Sequence, residues 1–272
     1  MTDVETIAAF PMYDFAGLQA AHDQLWSALR GYLNDSGFGG TPRRLTRDMH
    51  HEQLWVHPQL LLSQACEYPL AKCFPGRVRL VATPRYGIPG CTGTWYRSAI
   101  LVRSDDGAST LADLRGKRCV VNDLYSNSGM NMLRAAIAPI AGGTRFFGSV
   151  QVSGSHLESI RSVANSNADV CAVDCVSLEH LRRQEPAIAG SLRSLGWSPA
   201  SPSLPYVTSA TTGNSTLERL RLALREFSVD CAMAHVREQL HLEGFDLEPA
   251  EGFAEVMKLE KAASLWGYPE LH

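Results

Sequence analysis

The chain lacks any run of about 18 or more apolar residues, the length that a membrane-spanning helix requires. Its first ten residues carry acidic side chains where a secretory signal has a basic region followed by a longer apolar run. Taken as written, the sequence predicts a cytoplasmic protein with no membrane span. It predicts a periplasmic protein if a leader has been removed.

An excess of charge of either sign is also lacking. The formal net charge is −3 and the isoelectric point lies near 6.3, which excludes a bulk electrostatic attraction to nucleic acid or to an anionic membrane. The 45% hydrophobic and 19% charged residues are typical of an ordinary globular protein with one large domain or two lobes. No nucleic-acid partner is therefore predicted, and any anion-binding site must be local.

Metal-binding spacings are missing as well. No pair among the seven cysteines has zinc-ribbon or thioredoxin spacing, so we interpret them as mostly buried thiols in a reducing compartment. His50, His51 and His57 fall in or beside a short predicted helix over residues 49–58, but no HExxH pattern is present. The sequence predicts no metal site and no cofactor.

The most informative stretch is a predicted strand at residues 118–121, followed by a small polar turn and the start of a helix. The first N–H groups of a helix have no internal partner and carry partial positive charge, so such a turn can hold an anion. Ser126, Asn127 and Ser128 add side-chain donors, and Gly129 lets the backbone approach closely. The alternative interpretation is that Ser126 or Ser128 only caps the helix.

A second turn of the same kind follows the predicted strand Val150–Val152. Ser153, Ser155 and His156 precede a helical pattern that runs to Ala164. The two turns are about 27 residues apart, which fits consecutive αβ units of one parallel sheet whose strand ends share an edge. Both turns are therefore predicted to converge on one ligand. Alternatively, His156 donates to a backbone carbonyl.

Other candidate residues stand where a predicted strand ends, the edge of an α/β sheet at which ligands bind. Asp174 either anchors a hinge or accepts a hydrogen bond from ligand or loop. Tyr68 and Tyr96 are candidate walls of a ligand cleft. The candidates that follow a predicted strand are Tyr13, Asp14, Glu67, Tyr68 and Asp174.

Five segments span roughly residues 60 to 210 in this order: Gln64 to Leu70, Leu111 to Lys117, Ser126 to Gly129, Ser153 to His156 and Ala168 to Asp174. In their order and spacing they resemble segments of the substrate-binding proteins of phosphate, phosphite and phosphonate ABC transporters. No single segment would suffice for this resemblance.

The resemblance implies an α/β, two-lobe, type 2 periplasmic-binding-protein-like fold with two hinge crossovers. A composition shift at Arg103 to Thr110 and a proline-punctuated segment before Tyr206 to Ser209 mark the predicted crossovers. We therefore predict lobe 1 from residues 1–102 plus 208–272 and lobe 2 from residues 103–207.

The same resemblance implies that the Ser126-Asn127-Ser128 turn and Ser155-His156 hold phosphoryl oxygens. Tyrosines, together with Tyr13 and Asp14, would close from the other lobe. Lobe closure removes the water that would otherwise screen the charge of the ligand.

One residue departs from the family pattern, since Glu67 stands where the family usually has glycine. A carboxylate in the cleft would repel an anion. Three outcomes are open: Glu67 points away from the cleft, it binds the ammonium group of a zwitterion such as an aminophosphonate, or it marks a different class of ligand.

The leading hypothesis is a non-enzymatic protein that binds a small oxyanion (phosphate, phosphite or a phosphonate) in an interlobe cleft. Transporter permease subunits are the partners that the resemblance implies. One alternative is a cytoplasmic enzyme on the same fold that acts on a small acidic metabolite, with Cys66 beside Glu67 as the nearest candidate nucleophile. Another is a cytoplasmic ligand sensor that docks to a partner through exposed helices.

Overall fold

The structure is a computed structural model that describes residues 6–247 and 252–272. Its strands are β1 Ile7–Ala9, β2 Leu60–Gln64, β3 Val78–Tyr86, β4 Trp95–Tyr96, β5 Ser98–Arg103, β6 Arg118–Val121, β7 Ser149–Val152, β8 Val170–Asp174, β9 Leu192–Trp197, β10 Ser201–Pro202, β11 Tyr206–Ser209 and β12 Leu242–Asp246. Its α-helices are α1 Gln19–Asp35, α2 His51–Trp55, α3 Glu67–Cys73, α4 Met132–Ala141, α5 His156–Ala164, α6 Cys175–Gln184, α7 Pro186–Gly190, α8 Asn214–Val229, α9 Ala234–Gln239 and α10 Gly252–Leu265.

The chain divides into two compact units. Unit 1 comprises Met1–Gly87, Thr92–Thr94 and Pro202–Gly252. Unit 2 comprises Ile88–Cys91, Trp95–Ser201 and Phe253–His272. No helix in the described ranges combines the length and the hydropathy that a bilayer span requires.

Unit 1 is built on a five-stranded sheet in the order β1-β2-β11-β3-β12. β1 and β2 run parallel, and β11 is antiparallel to both β2 and β3. The predicted helix after β1 is α1, whose buried residues Leu25, Trp26, Leu29 and Leu33 recur at helical spacing and form part of the core.

β12 is a strand of unit 1 that the sequence did not indicate, since residues 215–272 had the pattern of a mainly helical segment. It pairs antiparallel with β3. Gly244 lies within it at φ +146°, a conformation that disfavours other residues, and Glu243 and Asp246 weaken the strand signal further. Its hydrogen bonds to β3, rather than the strand propensity of its own residues, hold this segment as a strand.

Unit 2 has its own five-stranded sheet, in the order β7-β6-β8-β5-β9. β6 pairs in parallel with both β7 and β8, whereas β5 is antiparallel to β8 and β9. Because β5 lies inside this sheet, its residues belong to unit 2, whereas the prediction placed residues 98–102 in lobe 1. The sequence of residues 95–102 predicts one longer strand, but the structure divides this segment into β4 and β5. β4 pairs with β10 in a separate two-stranded ribbon.

The C-terminal segment also belongs to unit 2, although the sequence assigned it to lobe 1. The Asn131 side-chain amide donates to the carbonyl of Val256 at 3.1 Å, and an Arg134 guanidinium nitrogen donates to the carbonyl of Pro269 at 2.7 Å. The unit boundaries thus fall at residues 87–95, 201–202 and 252–253, and the segment predicted as the return crossover, residues 206–209, is strand β11 of unit 1.

The cysteines differ in exposure. Cys119, Cys171 and Cys175 are buried, Cys66 and Cys91 are partly exposed, and Cys73 and Cys231 are exposed. The prediction of mostly buried thiols is therefore wrong, because the sequence spacing of cysteines carries no information on the tertiary environment of each one.

Candidate ligand-binding site

The candidate site begins where β6 and β7 end side by side. Val121 is in register with Val152, so the chain leaves both strands at the same edge of the unit 2 sheet. The backbone N–H of Ser153 donates to the carbonyl of Val121 at 2.9 Å, and that of Gly154 donates to the carbonyl of Asn122 at 3.0 Å. The two polar turns therefore lie against each other, as their spacing predicted.

The first turn contains a π-helical segment, Asn127–Asn131, which leads into α4. Ser126 precedes it, and its hydroxyl oxygen accepts a hydrogen bond from the N–H of Gly129 at 3.0 Å. Ser126 therefore caps this segment, which was the alternative interpretation of this residue. Short π-helical segments are rare and occur frequently at functional sites, because the wider turn redirects side chains.

His156 joins the two turns. It is the first residue of α5, and its Nε2 lies 2.8 Å from the Ser128 hydroxyl oxygen and 3.3 Å from the Asp174 carboxylate. Its Nδ1 is buried and has no hydrogen-bond partner among the described residues, so the predicted alternative of donation to a backbone carbonyl is not observed. Burial lowers the pKa of His156 below its usual value, although the nearby Asp174 opposes the shift, and the imidazole is neutral at pH 7.

Asp174 has two roles. One carboxylate oxygen faces His156, and the other accepts the N–H of Ser177 at 2.8 Å, which caps α6. Ser155 similarly accepts the N–H of Glu158 at 3.1 Å and caps α5. Both side chains therefore fix the start of a helix beside the candidate site.

The side chain of Asn127 forms hydrogen bonds with other residues of the protein. Its amide nitrogen donates to the Ser201 hydroxyl at 2.8 Å and to the Tyr96 hydroxyl at 3.3 Å, and its amide oxygen accepts from Asn131 at 2.9 Å. An amide has only two N–H donors, so these contacts use both. Asn127 positions the turn, and Tyr96, which is 1% exposed, is part of the same network.

Asn122 is a site residue that the sequence analysis missed. A Cβ atom added to Gly129 would lie 1.8 Å from the Asn122 side-chain oxygen and 3.3 Å from the His156 ring, so the Asn122 amide lies directly over the glycine backbone. That oxygen is buried and accepts no hydrogen bond within residues 6–247 and 252–272. The sequence could have indicated Asn122 as a site residue, because it immediately follows the predicted strand over residues 118–121.

Substituting Gly129 with alanine should lower the free energy of unfolding by about 1–2 kcal/mol, because the added Cβ overlaps the Asn122 oxygen. Adding Asn122→Ala should restore much of the loss. Gly107→Ala is the matched control, since a Cβ there meets no atom within 4 Å. Urea denaturation measures these differences, and equal effects of the Gly129 and Gly107 substitutions would contradict the assigned contact.

In unit 1, Tyr13 and Asp14 follow β1, and Asp14 is held in ion pairs. Its carboxylate accepts from Arg47 Nε at 2.6 Å and lies 3.2 Å from His22 Nδ1. Burial raises the pKa of Asp14, but the hydrogen bonds from His22 and Arg47 outweigh it and hold the value below its ordinary range. The Tyr13 ring packs edge-on against Tyr86, with 5.8 Å between ring centroids.

Glu67 and Tyr68 open α3 after β2. Glu67 is 1% exposed, and neither of its carboxyl oxygens has a hydrogen-bond partner in the described part of the chain. Burial raises the pKa of Glu67 to about 8, so the group is mainly a neutral carboxylic acid at pH 7. The Tyr68 hydroxyl accepts a hydrogen bond from Lys72 at 3.2 Å.

The contacts of Ser128, His156 and Asp174 differ from those of a catalytic triad. In a serine hydrolase the serine and the aspartate contact different imidazole nitrogens, whereas here both approach Nε2. Glu67 is mainly protonated at pH 7, which leaves only a small fraction of it able to accept a proton from Cys66. Over the ranges that the structure describes, no group of three or more His, Cys, Asp or Glu side chains could hold a metal ion.

Solved structures with the same architecture include a binding protein component of an ABC phosphonate transporter from Pseudomonas aeruginosa, with 16% identity, 96% of this chain and 87% of that chain covered, and a TM-score of 0.75. PhnD1 from Prochlorococcus marinus in complex with methylphosphonate is 12% identical, and the match covers 96% of this chain and 98% of PhnD1 with a TM-score of 0.73. XAC2383 from Xanthomonas citri bound to ATP is 13% identical, and the match covers 96% of this chain and 98% of XAC2383 with a TM-score of 0.71. At these identities the likeness shows the fold, which confirms the predicted type 2 periplasmic-binding-protein class.

The comparison with curated proteins returned no match. The profile of one protein family, described as the periplasmic substrate-binding protein of phosphonate ABC transporters, matches residues 59–250. That range includes both polar turns, β2 and the whole of the unit 2 sheet. It covers more than half of the chain, and so this protein belongs to the family of periplasmic substrate-binding proteins of phosphonate ABC transporters.

Proposed function

We propose that the protein binds a small phosphonate or a related oxyanion at the paired turns of unit 2 and delivers it to a membrane permease. The observation that carries the proposal is the contact between Ser128 and His156 at the neighbouring ends of β6 and β7. Both residues were predicted as ligand-binding residues from the sequence, and they lie 2.8 Å apart.

The chemistry of the turns suits an oxyanion. The first N–H groups of α5 have no partner inside the helix and carry partial positive charge, as do the N–H groups at the start of the π-helical segment. The Ser128 hydroxyl and the neutral His156 ring add side-chain hydrogen bonds. Neutral donors of this kind bind a dianion without the bidentate geometry that an arginine demands.

The position of the two turns at the same edge of the sheet also supports one shared ligand. Each turn follows a strand of the same parallel pair, and in α/β sheets ligands bind beyond the carboxyl ends of such strands. The π-helical segment and α5 both begin at this edge, so their N-terminal partial charges add at the same place.

Glu67 bears on the class of ligand. As a neutral carboxylic acid it would not repel an anion and could donate one O–H, whereas it would attract an ammonium group less strongly than an ionised carboxylate does. We therefore place phosphonates without an amine, together with phosphite and phosphate, ahead of aminophosphonates. Tyr13, Asp14 and Tyr68 remain proposed contacts, on the family resemblance alone.

A ligand panel tests the proposed function. Methylphosphonate, phosphite, phosphate and 2-aminoethylphosphonate are added in turn, and the melting temperature is followed. A ligand at about 100 times its Kd stabilises the folded state by about 2.7 kcal/mol, which raises the melting temperature measurably. We expect the largest rise with an amine-free ligand. No rise with any of the four, together with a rise for a small dicarboxylate, would contradict the proposal.

A further inference from the structure

Two cysteines of unit 2 lie in contact although they are far apart in the sequence. The Sγ atoms of Cys91 and Cys175 are 3.3 Å apart. Cys175 is the first residue of α6, directly after Asp174, and is buried, whereas Cys91 lies in the loop between β3 and β4 and is partly exposed. The pair therefore combines a protected thiol with one that solvent reaches.

The backbone holds both residues in place. Gly90 has φ +98°, and a Cβ added there would lie 2.8 Å from the Cys175 Cβ and 2.8 Å from the Trp197 ring. Only glycine allows this close approach of the loop to the start of α6. The N–H of Cys91 donates to the carbonyl of Ile88, and that of Cys175 donates to the carbonyl of Arg97, at 3.1 and 3.0 Å.

A disulfide requires a sulfur–sulfur distance of about 2.05 Å, so the two sulfur atoms must approach by about 1 Å when the bond forms. Proteins of this family are periplasmic, and the periplasm is an oxidising compartment in which such bonds form and persist. We propose that Cys91 and Cys175 form a disulfide when the protein is exported.

The chemistry is thiol–disulfide exchange with a disulfide oxidant. The accessible Cys91 thiolate attacks one sulfur of the oxidant, which gives a mixed disulfide and releases the first thiolate. The Cys175 thiolate then attacks the Cys91 sulfur, forms the intramolecular bond and releases the second thiolate. The two cysteines lose two electrons and two protons, and the disulfide of the oxidant takes them up and is reduced to two thiols.

The bond would fasten a connecting segment to the candidate site. Residues Ile88–Cys91 belong to unit 2, whereas Gly87 before them and Thr92 after them belong to unit 1. At the other end of the bond, Cys175 is the next residue in the chain after Asp174, whose carboxylate contacts His156. Oxidation would thus fix the connecting segment against the start of α6.

Peptide mapping tests the proposal on the unmodified chain. The protein is oxidised with oxidised glutathione, alkylated without reduction and digested with trypsin. We expect the peptide of residues 86–97, which contains Cys91, to be linked to the peptide of residues 162–182, which contains Cys171 and Cys175. Reduction should separate them. Cys171→Ser should keep the link, and Cys175→Ser should abolish it.

A second measurement does not depend on mapping. The oxidised wild type should melt on the order of 5 °C above the reduced protein, because the bond closes a long loop. Cys231→Ser, which changes an exposed cysteine, should keep this difference, and Cys91→Ser should remove it. Alkylation of both Cys91 and Cys175 after oxidation, with no linked peptide, would overturn the proposal.

Discussion

Replacing Glu67 with glutamine should make the protein more stable at pH 8 and should flatten the dependence of its stability on pH. The folded state holds the Glu67 proton up to about pH 8, whereas the unfolded chain releases it near pH 4.5. Between these values the folded state binds the extra proton, so the free energy of unfolding falls as the pH rises. Glutamine has the same shape and no ionisation, and the fall should disappear with it.

The expected size is large. One pH unit inside the window changes the free energy of unfolding by about 1.4 kcal/mol, so the wild type should lose on the order of 3 kcal/mol between about pH 5.5 and 7.5 relative to Glu67→Gln. Urea denaturation at several pH values measures it. Glu238→Gln, at an exposed position, is the control and should leave the profile unchanged. Parallel profiles for the wild type and Glu67→Gln would show that the buried carboxyl ionises normally.

The second large effect concerns ligand affinity. Ser128→Ala and His156→Ala should each weaken methylphosphonate binding by about 1–3 kcal/mol, or about 5-fold to 150-fold in Kd, because each removes a hydrogen bond to a charged oxygen. The histidine substitution also removes the ring that contacts one oxygen of the Asp174 carboxylate, so that oxygen would lose this contact.

Isothermal titration calorimetry measures these affinities. Ser264→Ala is the matched control, because Ser264 is exposed on α10 of the same unit and its hydroxyl donates to the carbonyl of Glu260 in its own helix. Circular dichroism of each variant verifies that the fold is kept. Wild-type affinity in both the Ser128 and the His156 variants would place the ligand elsewhere.

Local patterns in the sequence predicted the elements around the site well. The strand at residues 118–121 was predicted with its observed bounds. Residues 206–209 were predicted as the return crossover, but they form strand β11 inside unit 1. Short local patterns indicate where strands end and helices begin: β-branched runs, small polar turns and helical periodicity. For this reason the meeting of Ser128 and His156 could be anticipated.

Long-range contacts could not be predicted in the same way. The Asn127 amide was expected to face a ligand, but it is satisfied by Ser201 and Tyr96, which are distant in the sequence. The contact between Cys91 and Cys175 likewise depends on tertiary packing of a loop against α6. Local propensity does not encode such pairings, since they join residues that are distant in the sequence.

The boundaries of the units differ from the prediction for a related reason. The composition shift near residue 103 was interpreted as a crossover, but β5 ends there within the unit 2 sheet. The burial of Glu67 is a third example, because a carboxylate at the first turn of a helix gives no sign in the sequence that its oxygens are shielded from water.

The most direct test of the account is a crystal structure of this chain with methylphosphonate. We predict that the phosphonyl oxygens lie within about 3 Å of the Ser128 hydroxyl, the His156 ring and the backbone N–H groups at the start of α5. A ligand bound away from the ends of β6 and β7, with the hydrogen bond between Ser128 and His156 unchanged, would contradict it.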